Sequence, residues 1–242
     1  MLLPSMVSFR NASFLHHCLV LAALLLAQPA LADAPWKPLK TATARGEVST
    51  WNRPVEGYPI KQFKGVVEVP YSALNVLAVI RDVPNFPDWV FQCQRAEQRS
   101  EWGVTHTRIM IKGIWPVSDR DVVVNTAITQ DPATLAITVA SRATDAVYPP
   151  QRGYTRLPEL DNRFVVEPLA DGWSRVTFET FVDPGGSIPT WLSNFVATKA
   201  PLTTLQGLHA QLEKPAYRVY DAHQLSLPDP DALRFPAAHL AP

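Results

Sequence analysis

Apolar residues in the last third of the chain recur at the spacing of an α-helix. They are Ile188, Trp191, Leu192, Phe195, Val196, Leu202, Leu205, Leu208 and Leu212. Residues three and four positions apart share one face of a helix, so this spacing predicts a long amphipathic helix with a wide apolar face. Pro201 lies inside the pattern. Because the apolar stripe resumes beyond it, we expect a kink near Ala200 rather than a helix end.

A tight turn is predicted immediately before this helix. Pro184 fixes φ, and Gly185 and Gly186 can adopt positive φ, so the chain can reverse direction there. Ser187 is a favourable N-cap, and Pro189 falls in the first turn, where a missing N–H costs nothing. The sequence therefore predicts a strand end, a reversal and a helix in direct succession.

The middle of the chain alternates apolar and polar residues in short runs typical of β-strands. The predicted strands are 47–53, 61–69, 92–100, 104–112, 121–130, 135–142, 163–168 and 173–182. Most connections are short, as antiparallel hairpins require. A shorter helix, capped by Ser72 and carrying Leu74, Leu77 and Ile80, interrupts the series. The connection 143–160 is long, and long loops in compact domains are often functional.

Many antiparallel strands with few helices predict an α+β fold. A curved sheet has one face to cover, and the C-terminal helix is the longest and most apolar element available. We therefore expect the sheet to wrap around that helix and to leave an internal hydrophobic cavity. Such a space is the default position for a ligand.

The alternation along the strands indicates which side chains face this cavity. In strand 104–112 the Thr and Ile face is expected to point inward, because a buried His106 or Arg108 on the other face would need polar partners. The predicted cavity residues are Thr107, Ile109, Ile111, Val124, Thr126, Ile137, Phe178, Thr180, Trp191, Phe195 and Leu202.

Composition is consistent with a globular protein and excludes some partners. Of the 242 residues, 47% are hydrophobic and 18% are charged, which fits a sizeable core. The 22 basic and 22 acidic residues balance. Nucleic acid as the main ligand would favour a basic excess, so we expect no nucleic-acid partner.

The N-terminus has the pattern of an export signal. The apolar run 18–27 follows Arg10 and is too short to span a bilayer comfortably. Ala30-Leu31-Ala32 is a small-x-small cleavage site, and cleavage there makes Asp33 the new N-terminus. We expect residues 1–32 to be a signal peptide and the mature protein to be periplasmic. An uncleaved membrane anchor is the alternative.

The remaining chain is expected to divide into three parts. Residues 33–44 form a leader, 45–214 form the folded domain, and 215–242 form a Pro- and Ala-rich extension expected to be flexible. Loss of the signal peptide leaves Cys93 as the single cysteine, so no internal disulfide is expected. No basic residue adjoins Cys93 in sequence to activate its thiol.

The sequence lacks the motifs of common catalytic and metal sites. It contains no G-x-S-x-G, G-x-G-x-x-G, H-E-x-x-H or P-loop pattern, so we expect no cofactor and no metal. Asp119 and Asp121 flank Arg120, which is open to two interpretations. They are either paired catalytic carboxylates or members of ion pairs that hold a strand corner. We favour the structural role for all three residues.

Two motifs resemble those of a known family. Residues 115–123 read Trp-Pro-Val-Ser-Asp-Arg-Asp-Val-Val and are similar to the P-x-S-x-R-D start of a strand in START (steroidogenic acute regulatory protein-related lipid-transfer) domains. Residues 183–192 resemble the turn before the C-terminal lid helix in members of the phosphatidylcholine transfer type. Ala143-Thr144-Asp145, followed by Gly153, is similar to the long loop beside their cavity. The order and spacing agree over residues 45–213.

The resemblance implies a helix-grip fold, a tunnel for one lipid and no catalysis. Gly185 and Gly186 would then shape the turn before the lid helix. Steroidogenic members of the family carry a buried Glu–Arg pair on two neighbouring strands. The corresponding positions here are Thr107 and Thr126, so that ion pair is absent and the inner cavity is expected to be neutral.

A gate is expected where the lid helix meets the long loop. Pro201 weakens the helix at one point, and the loop 143–160 carries Val147, Tyr148 and Pro149. An apolar, aromatic loop tip of this kind settles at a membrane–water interface, so we expect transient contact with a membrane surface.

Three functions are compatible with the sequence. The first is non-enzymatic binding and transfer, or sensing, of a single lipid or similar hydrophobic ligand by a monomer. The second is an aromatase/cyclase-type enzyme on the same fold, which needs polar groups that converge in the cavity. The third is a ligandless interaction module with a filled core. The predicted lining of mostly Val, Ile and Thr favours the first.

Overall fold

A large, mostly antiparallel sheet forms the body of the protein. The computed structural model describes residues 34–98, 103, 105–144, 149, 151–186 and 188–240. The strands are β1 (Lys37–Lys40), β2 (Ser49–Pro54), β3 (Lys61–Val69), β4 (Cys93–Glu97), β5 (His106–Ile111), β6 (Arg120–Gln130), β7 (Ile137–Ala143), β8 (Thr155–Arg156), β9 (Glu159–Pro168) and β10 (Ser174–Asp183). The predicted signal peptide lies outside the described residues and stays a prediction.

The sheet brings the first strands of the chain beside the last one. Its order is β1-β2-β3-β10-β9-β7-β6-β5-β4, and β8 pairs in parallel with β6. Two strands were not predicted. β1 lies inside the predicted leader, and β8 lies inside the long 143–160 loop. That loop is shorter than expected, because β9 already begins at Glu159.

The first helix, α1 (Ala73–Arg81), begins as predicted. The Ser72 hydroxyl accepts a hydrogen bond from the Asn75 backbone N–H at 3.1 Å, which satisfies one free donor of the first turn. A 3-10 turn, Val83–Asp88, follows and leads to the buried Trp89. The Trp89 ring packs against Phe86 and Phe164, at centroid distances of 5.5 and 6.0 Å.

The second helix, α2 (Thr190–Leu212), is the helix that the sheet surrounds. Leu205, Leu208 and Leu212 are buried in the main core together with residues of β3, β7, β9 and β10. Gly65 of β3 permits this close approach, because a Cβ on Gly65 would lie 2.7 Å from Leu205 Cδ1 and 3.0 Å from Pro201 Cβ. No helix among the described residues is long and apolar enough to cross a membrane.

The start of α2 differs from the prediction. Pro189 occupies the N-cap position instead of the first turn, and no side chain caps the helix. Ser187, the predicted N-cap, lies outside the described residues. The helix continues through Pro201 as a single element. Gly185 and Gly186 adopt φ values of 63° and 70°, in the left-handed region that favours glycine at a reversal.

The C-terminal extension, which the sequence predicted to be flexible, is packed on the core through contacts that the sequence did not predict. His239 is fully buried. Its Nδ1 accepts from the Ala73 N–H and its Nε2 donates to the Leu169 carbonyl, both at 2.9 Å. Arg81 donates to the Ser226 carbonyl at 2.9 Å. Further contacts to the core come from Leu225, Leu227, Leu233 and Phe235. Residues far apart in sequence make these contacts, so local composition could not indicate them.

Candidate functional site

A largely apolar cavity lies between the sheet and α2. We call it the outer cavity, and its volume is about 190 Å³. Side chains of β5, β9 and β10 form one wall, and the N-terminal half of α2 forms the other. The segment 112–118, between β5 and β6, lines the cavity through Gly113, Ile114 and Val117, and Ile188, just before α2, also lines it. Much of this segment is exposed, so we call this end of the cavity its mouth.

A smaller cavity adjoins the outer one. This inner cavity has a volume of about 60 Å³ and shares Ile109, Asn162 and Phe178 with the outer cavity. Trp89 also borders the inner cavity. Trp89 Nε1 and Asn162 Oδ1 are buried polar atoms with no hydrogen-bond partner among the described residues. Both cavities are therefore apolar spaces with a few polar atoms available to a ligand.

Most of the strand residues predicted to face the cavity line one of these two spaces. Ile109, Ile111, Phe178 and Thr180 line the outer cavity, and Thr107, Val124 and Thr126 line the inner one. Ile137 does not, because it is fully buried in the main core.

The predicted helix residues do not line the cavity. Leu202 packs against the main core. Trp191 and Phe195, which were predicted to face the cavity, are 71% and 52% exposed and do not line either cavity. The face of α2 toward the outer cavity carries Leu192, Ser193, Ala197, Ala200 and Thr204 instead. Small side chains on this face leave space for a ligand. The sequence analysis assigned the largest apolar residues of α2 to the cavity because of their hydrophobicity. It therefore did not identify the small residues that line it.

The two described residues of the predicted gate, Pro149 and Pro201, do not line either cavity. Val147 and Tyr148 lie outside the described residues. Pro149 is exposed and does not line either cavity, while Pro201 is buried against β3. Within the described part of the 143–160 loop, Leu157 and Leu160 reach the outer cavity. The segment 112–118 borders the mouth, which the sequence did not indicate.

Asp121, at the start of β6, is the centre of a buried charge cluster. It is fully buried, and its carboxylate accepts hydrogen bonds from Arg156 at 2.9 Å and Arg108 at 3.2 Å. The Gln151 N–H adds a third at 3.3 Å. Burial raises the pKa of Asp121, but the hydrogen bond and charge of Arg156, together with the hydrogen bonds from Gln151 and Arg108, hold the pKa below its ordinary value. The cluster ties β5, β6 and β8 together.

Asp119 forms hydrogen bonds with neighbouring residues and does not line the cavity. Its carboxylate accepts from the Gly113 N–H at 2.8 Å and from Gln94 Nε2 at 3.0 Å. The hydrogen bond from Gly113 is the main reason that the pKa of Asp119 lies below its ordinary value. Because Asp119 and Asp121 have different partners, the geometry does not support a catalytic carboxylate pair.

Arg120 points into the outer cavity, on the same face of β6 as Val122 and Val124. Its side chain donates to the Ser118 carbonyl, to the Ser118 hydroxyl at 3.1 Å and to the Pro184 carbonyl at 3.4 Å. Burial lowers the pKa of Arg120, and the charge of Asp119 raises it by a smaller amount. Arg120 thus links the segment 112–118 to the turn before α2.

The cavity offers little acid–base or metal chemistry. Cys93 lines the outer cavity as a free, buried cysteine, and burial raises the pKa of its thiol to about 12, so it stays a weakly reactive thiol. No Asp, Glu or His stands among the described lining residues. The described part of the chain also contains no cluster of His, Cys, Asp and Glu suited to a metal ion.

Comparisons with known proteins agree with this architecture. The model of the START domain matches residues 19–216. An uncharacterized protein of Pseudomonas aeruginosa is 31% identical over 201 residues, which is 81% of this chain and 96% of that protein. Phosphatidylcholine transfer protein of Rattus norvegicus is 26% identical over 175 residues, covering 71% of this chain and 81% of that protein.

A solved structure that is as similar in sequence as the Pseudomonas protein has the same fold. A fragment of the STAR-related lipid transfer protein from Xanthomonas axonopodis superposes with a TM-score of 0.65 at 31% identity, covering 74% of this chain and 99% of that one. The family match spans most of the chain, and the sheet wrapped around α2 agrees with it. The chain belongs to the START domain family.

Proposed function

We propose that the protein binds a single lipid or similar amphiphile in its cavity and transfers or senses it without catalysis. The observation that carries this proposal is the apolar cavity between the sheet and the small-residue face of α2. The similarity to the rat and Xanthomonas relatives, both of which are named as lipid transfer proteins, supports it. Native mass spectrometry of the purified protein, followed by lipid extraction, tests it. A stoichiometric lipid is expected, and a protein that never retains one would contradict the proposal.

The two alternative functions receive less support. A cyclase needs an acid and a base placed around its substrate, whereas the described cavity lining carries no carboxylate or imidazole. A ligandless interaction module needs no internal space, yet the outer cavity has a volume of about 190 Å³. A carrier or sensor needs this space and no reactive groups.

We further propose that the N-terminal half of α2 is the moving part of the gate. The C-terminal half is anchored by the buried Leu205, Leu208 and Leu212, while Trp191 and Phe195 in the other half are exposed. Pro201 separates the halves and lacks the N–H that would bond to residue 197. Opening about Pro201 leaves the anchored half in place and exposes the outer cavity.

A disulfide across the mouth tests this gate. One cysteine is placed in the segment 112–118 and one in 188–193, with Cys93→Ala as the background. We expect the oxidised protein to retain prebound lipid but to exchange it with vesicles at least about tenfold more slowly, and reduction to restore exchange. A matched control joins two positions of β2 and β3. Equal exchange rates in the oxidised and reduced proteins would show that the ligand leaves by another route.

The exposed aromatic residues beside the mouth support contact with a bilayer. Trp115 in the segment 112–118 is 89% exposed, and Trp191 and Phe195 lie on the N-terminal half of α2. Aromatic side chains of this kind favour the membrane–water interface. These residues belong to the two elements that border the mouth. A membrane contact there would let a ligand pass directly from the cavity into the bilayer.

Replacement of these aromatic residues should separate binding from transfer. We expect Trp115→Ser combined with Trp191→Ser to weaken vesicle cosedimentation and lipid transfer by about tenfold or more. Each substitution removes an aromatic side chain that would be buried in the membrane–water interface. Prebound lipid should stay in place, since neither side chain lines the cavity. Tyr220→Ser, an exposed aromatic of the C-terminal extension, is the control. Unchanged cosedimentation in the double variant would contradict this membrane surface.

A further inference from the structure

The charged residues in the described lining of the outer cavity are all positive. Among its described lining residues, Lys112 and Arg120 are the charged ones, and no carboxylate stands beside them. Lys112 is exposed at the end of the mouth next to Gly113, and Arg120 is 8% exposed at the start of β6. The mouth is therefore a cationic rim on an apolar cavity.

The surroundings of Arg120 are unusual for a buried guanidinium. A buried charge is normally paired with an opposite charge, as Arg108 is paired with Asp121 on the other face of the sheet. Arg120 instead donates to the carbonyls of Ser118 and Pro184 and to the Ser118 hydroxyl. No carboxylate lies within ion-pair distance of Arg120 in the described ranges.

Asp119, the acidic residue next to Arg120 in sequence, forms its hydrogen bonds with other residues. The two oxygens of Asp119 accept hydrogen bonds from the Gly113 N–H and from Gln94 Nε2. The charge of Asp119 acts on Arg120 only from beyond contact distance. A guanidinium has five N–H donors, and in the described structure Nη2 of Arg120 contacts no acceptor. Arg120, which lines the outer cavity, therefore has donor capacity left over.

The inner cavity has a different character. Thr107 and Thr126 are neutral, and the Thr126 hydroxyl is hydrogen-bonded to the Ser141 hydroxyl at 2.8 Å. Arg81 also borders this space, but its guanidinium donates to the Ser226 carbonyl at 2.9 and 3.2 Å. An apolar chain with its charged end at the mouth matches this distribution of charge better than the reverse orientation.

We propose that the ligand carries an anionic group, a carboxylate or a phosphate, that binds Arg120 and Lys112 at the mouth while its apolar part fills the cavity. This inference rests on the proposed lipid-binding function and specifies the charge and orientation of the ligand. It also gives Arg120 a second role besides its contacts to Ser118 and Pro184. Charge-assisted hydrogen bonds to an anion complete the coordination of the guanidinium.

Two probes of equal chain length isolate the charge. Decanoate and decanol differ only in the carboxylate, so their affinities are compared by calorimetric titration at neutral pH. We expect the protein to bind decanoate about tenfold or more tightly than decanol, since charge-assisted hydrogen bonds contribute more than neutral ones and 1.4 kcal/mol corresponds to about a factor of ten. Lys112→Gln and Arg120→Gln should each reduce this preference for decanoate over decanol.

The variants are matched by controls. Lys37→Gln removes an exposed lysine of the edge strand β1 and should leave both affinities unchanged. Arg120→Gln also removes the contacts to Ser118 and Pro184, so Arg120→Lys, which keeps the charge, is measured beside it and should retain most of the preference. Lys112 is exposed, so its replacement tests the same rim without risk to the fold.

The possible results separate this inference from the proposed function. Equal affinity of the protein for decanoate and decanol would overturn the anionic assignment while leaving lipid binding intact. Failure of both probes to bind would contradict the proposed function and this inference with it. Inorganic phosphate is titrated alone as a third arm. If phosphate bound in an Arg120-dependent manner while decanoate showed no preference over decanol, the rim would be a site for free anions, and the head-group assignment would be wrong.

Discussion

Asp121→Asn is expected to destabilise the protein by about 3–5 kcal/mol, because it removes the buried carboxylate to which Arg108 and Arg156 both donate. Arg108 and Arg156 both donate to the Asp121 carboxylate, and Asp121 is fully buried. The amide keeps the shape of the side chain, so the loss reports on charge rather than on a cavity. Urea denaturation followed by tryptophan fluorescence measures the change in unfolding free energy.

An exposed ion pair on the same sheet provides the control. Asp161 of β9 pairs with Arg142 at 3.2 Å, and both side chains are largely exposed. Solvent screening makes such a pair worth about 0–1 kcal/mol, so Asp161→Asn should change stability very little. Equal losses for Asp121→Asn and Asp161→Asn would show that the buried cluster contributes no more than a surface pair.

The same cluster predicts a pH dependence. The pKa of Asp121 lies below its ordinary value in the folded state, so its ionised form is favoured by folding. Its contribution is complete above the pKa of an unfolded Asp, about 3.9, and is lost as the pH falls through the lower folded value. The stability difference between the protein and Asp121→Asn should therefore be constant near neutral pH and narrow in acid. A difference that grows in acid would contradict the ion pairs.

Thr126→Arg is the second substitution with a large expected effect. Thr126 is buried on the inner cavity, where its hydroxyl bonds to Ser141. An arginine there is a buried cation without a counter-charge, in a space that Arg81 already borders, so we expect a loss of about 3–5 kcal/mol. Thermal unfolding measures it. Thr129→Arg, at an exposed position of β6, is the control and should stay within about 0.5 kcal/mol.

A second substitution should restore part of this loss. Thr107 on β5 is opposite Val124, so Thr126 is its diagonal neighbour on the same face, within reach of a long side chain. In Thr107→Glu/Thr126→Arg the two charges can pair, and we expect the double variant to be more stable than Thr126→Arg alone. Unchanged stability of Thr126→Arg would mean that Thr126 does not face the cavity. A double variant no more stable than the single one would argue against the pairing.

The local sequence pattern determined much of the fold. Strand β3 was predicted as 61–69 and is observed as Lys61–Val69, because a run of β-branched residues ending at Pro70 specifies a strand locally. The same is true of α1, whose Ser72 cap lies beside the residues it caps. The alternation along β5 and β6 also placed Thr107, Ile109 and Val124 on the cavity face, since side chains of a strand point to opposite sides in turn.

The alternation along β6 places Arg120 on the same face as Val122 and Val124, although the motif around Arg120 suggested a structural ion pair. Whether a charged residue has a partner depends on the neighbouring strands and loops. In the structure Asp121 pairs with Arg108 and Arg156, and not with Arg120. The sequence could therefore place Arg120 but could not show that its charge has no acidic partner among the described residues.

Other features were decided only by tertiary structure. Trp191 and Phe195 were expected inside because hydrophobicity favours burial, yet the sheet contacts a different face of α2, and the small side chains of Ser193 and Ala197 line the cavity. His239 binds Ala73 across 166 residues of sequence. Local patterns determine which elements form. Which faces meet, and which distant segments bind one another, follows from the packing of the whole chain, where contacts distant in sequence compete for the same surfaces.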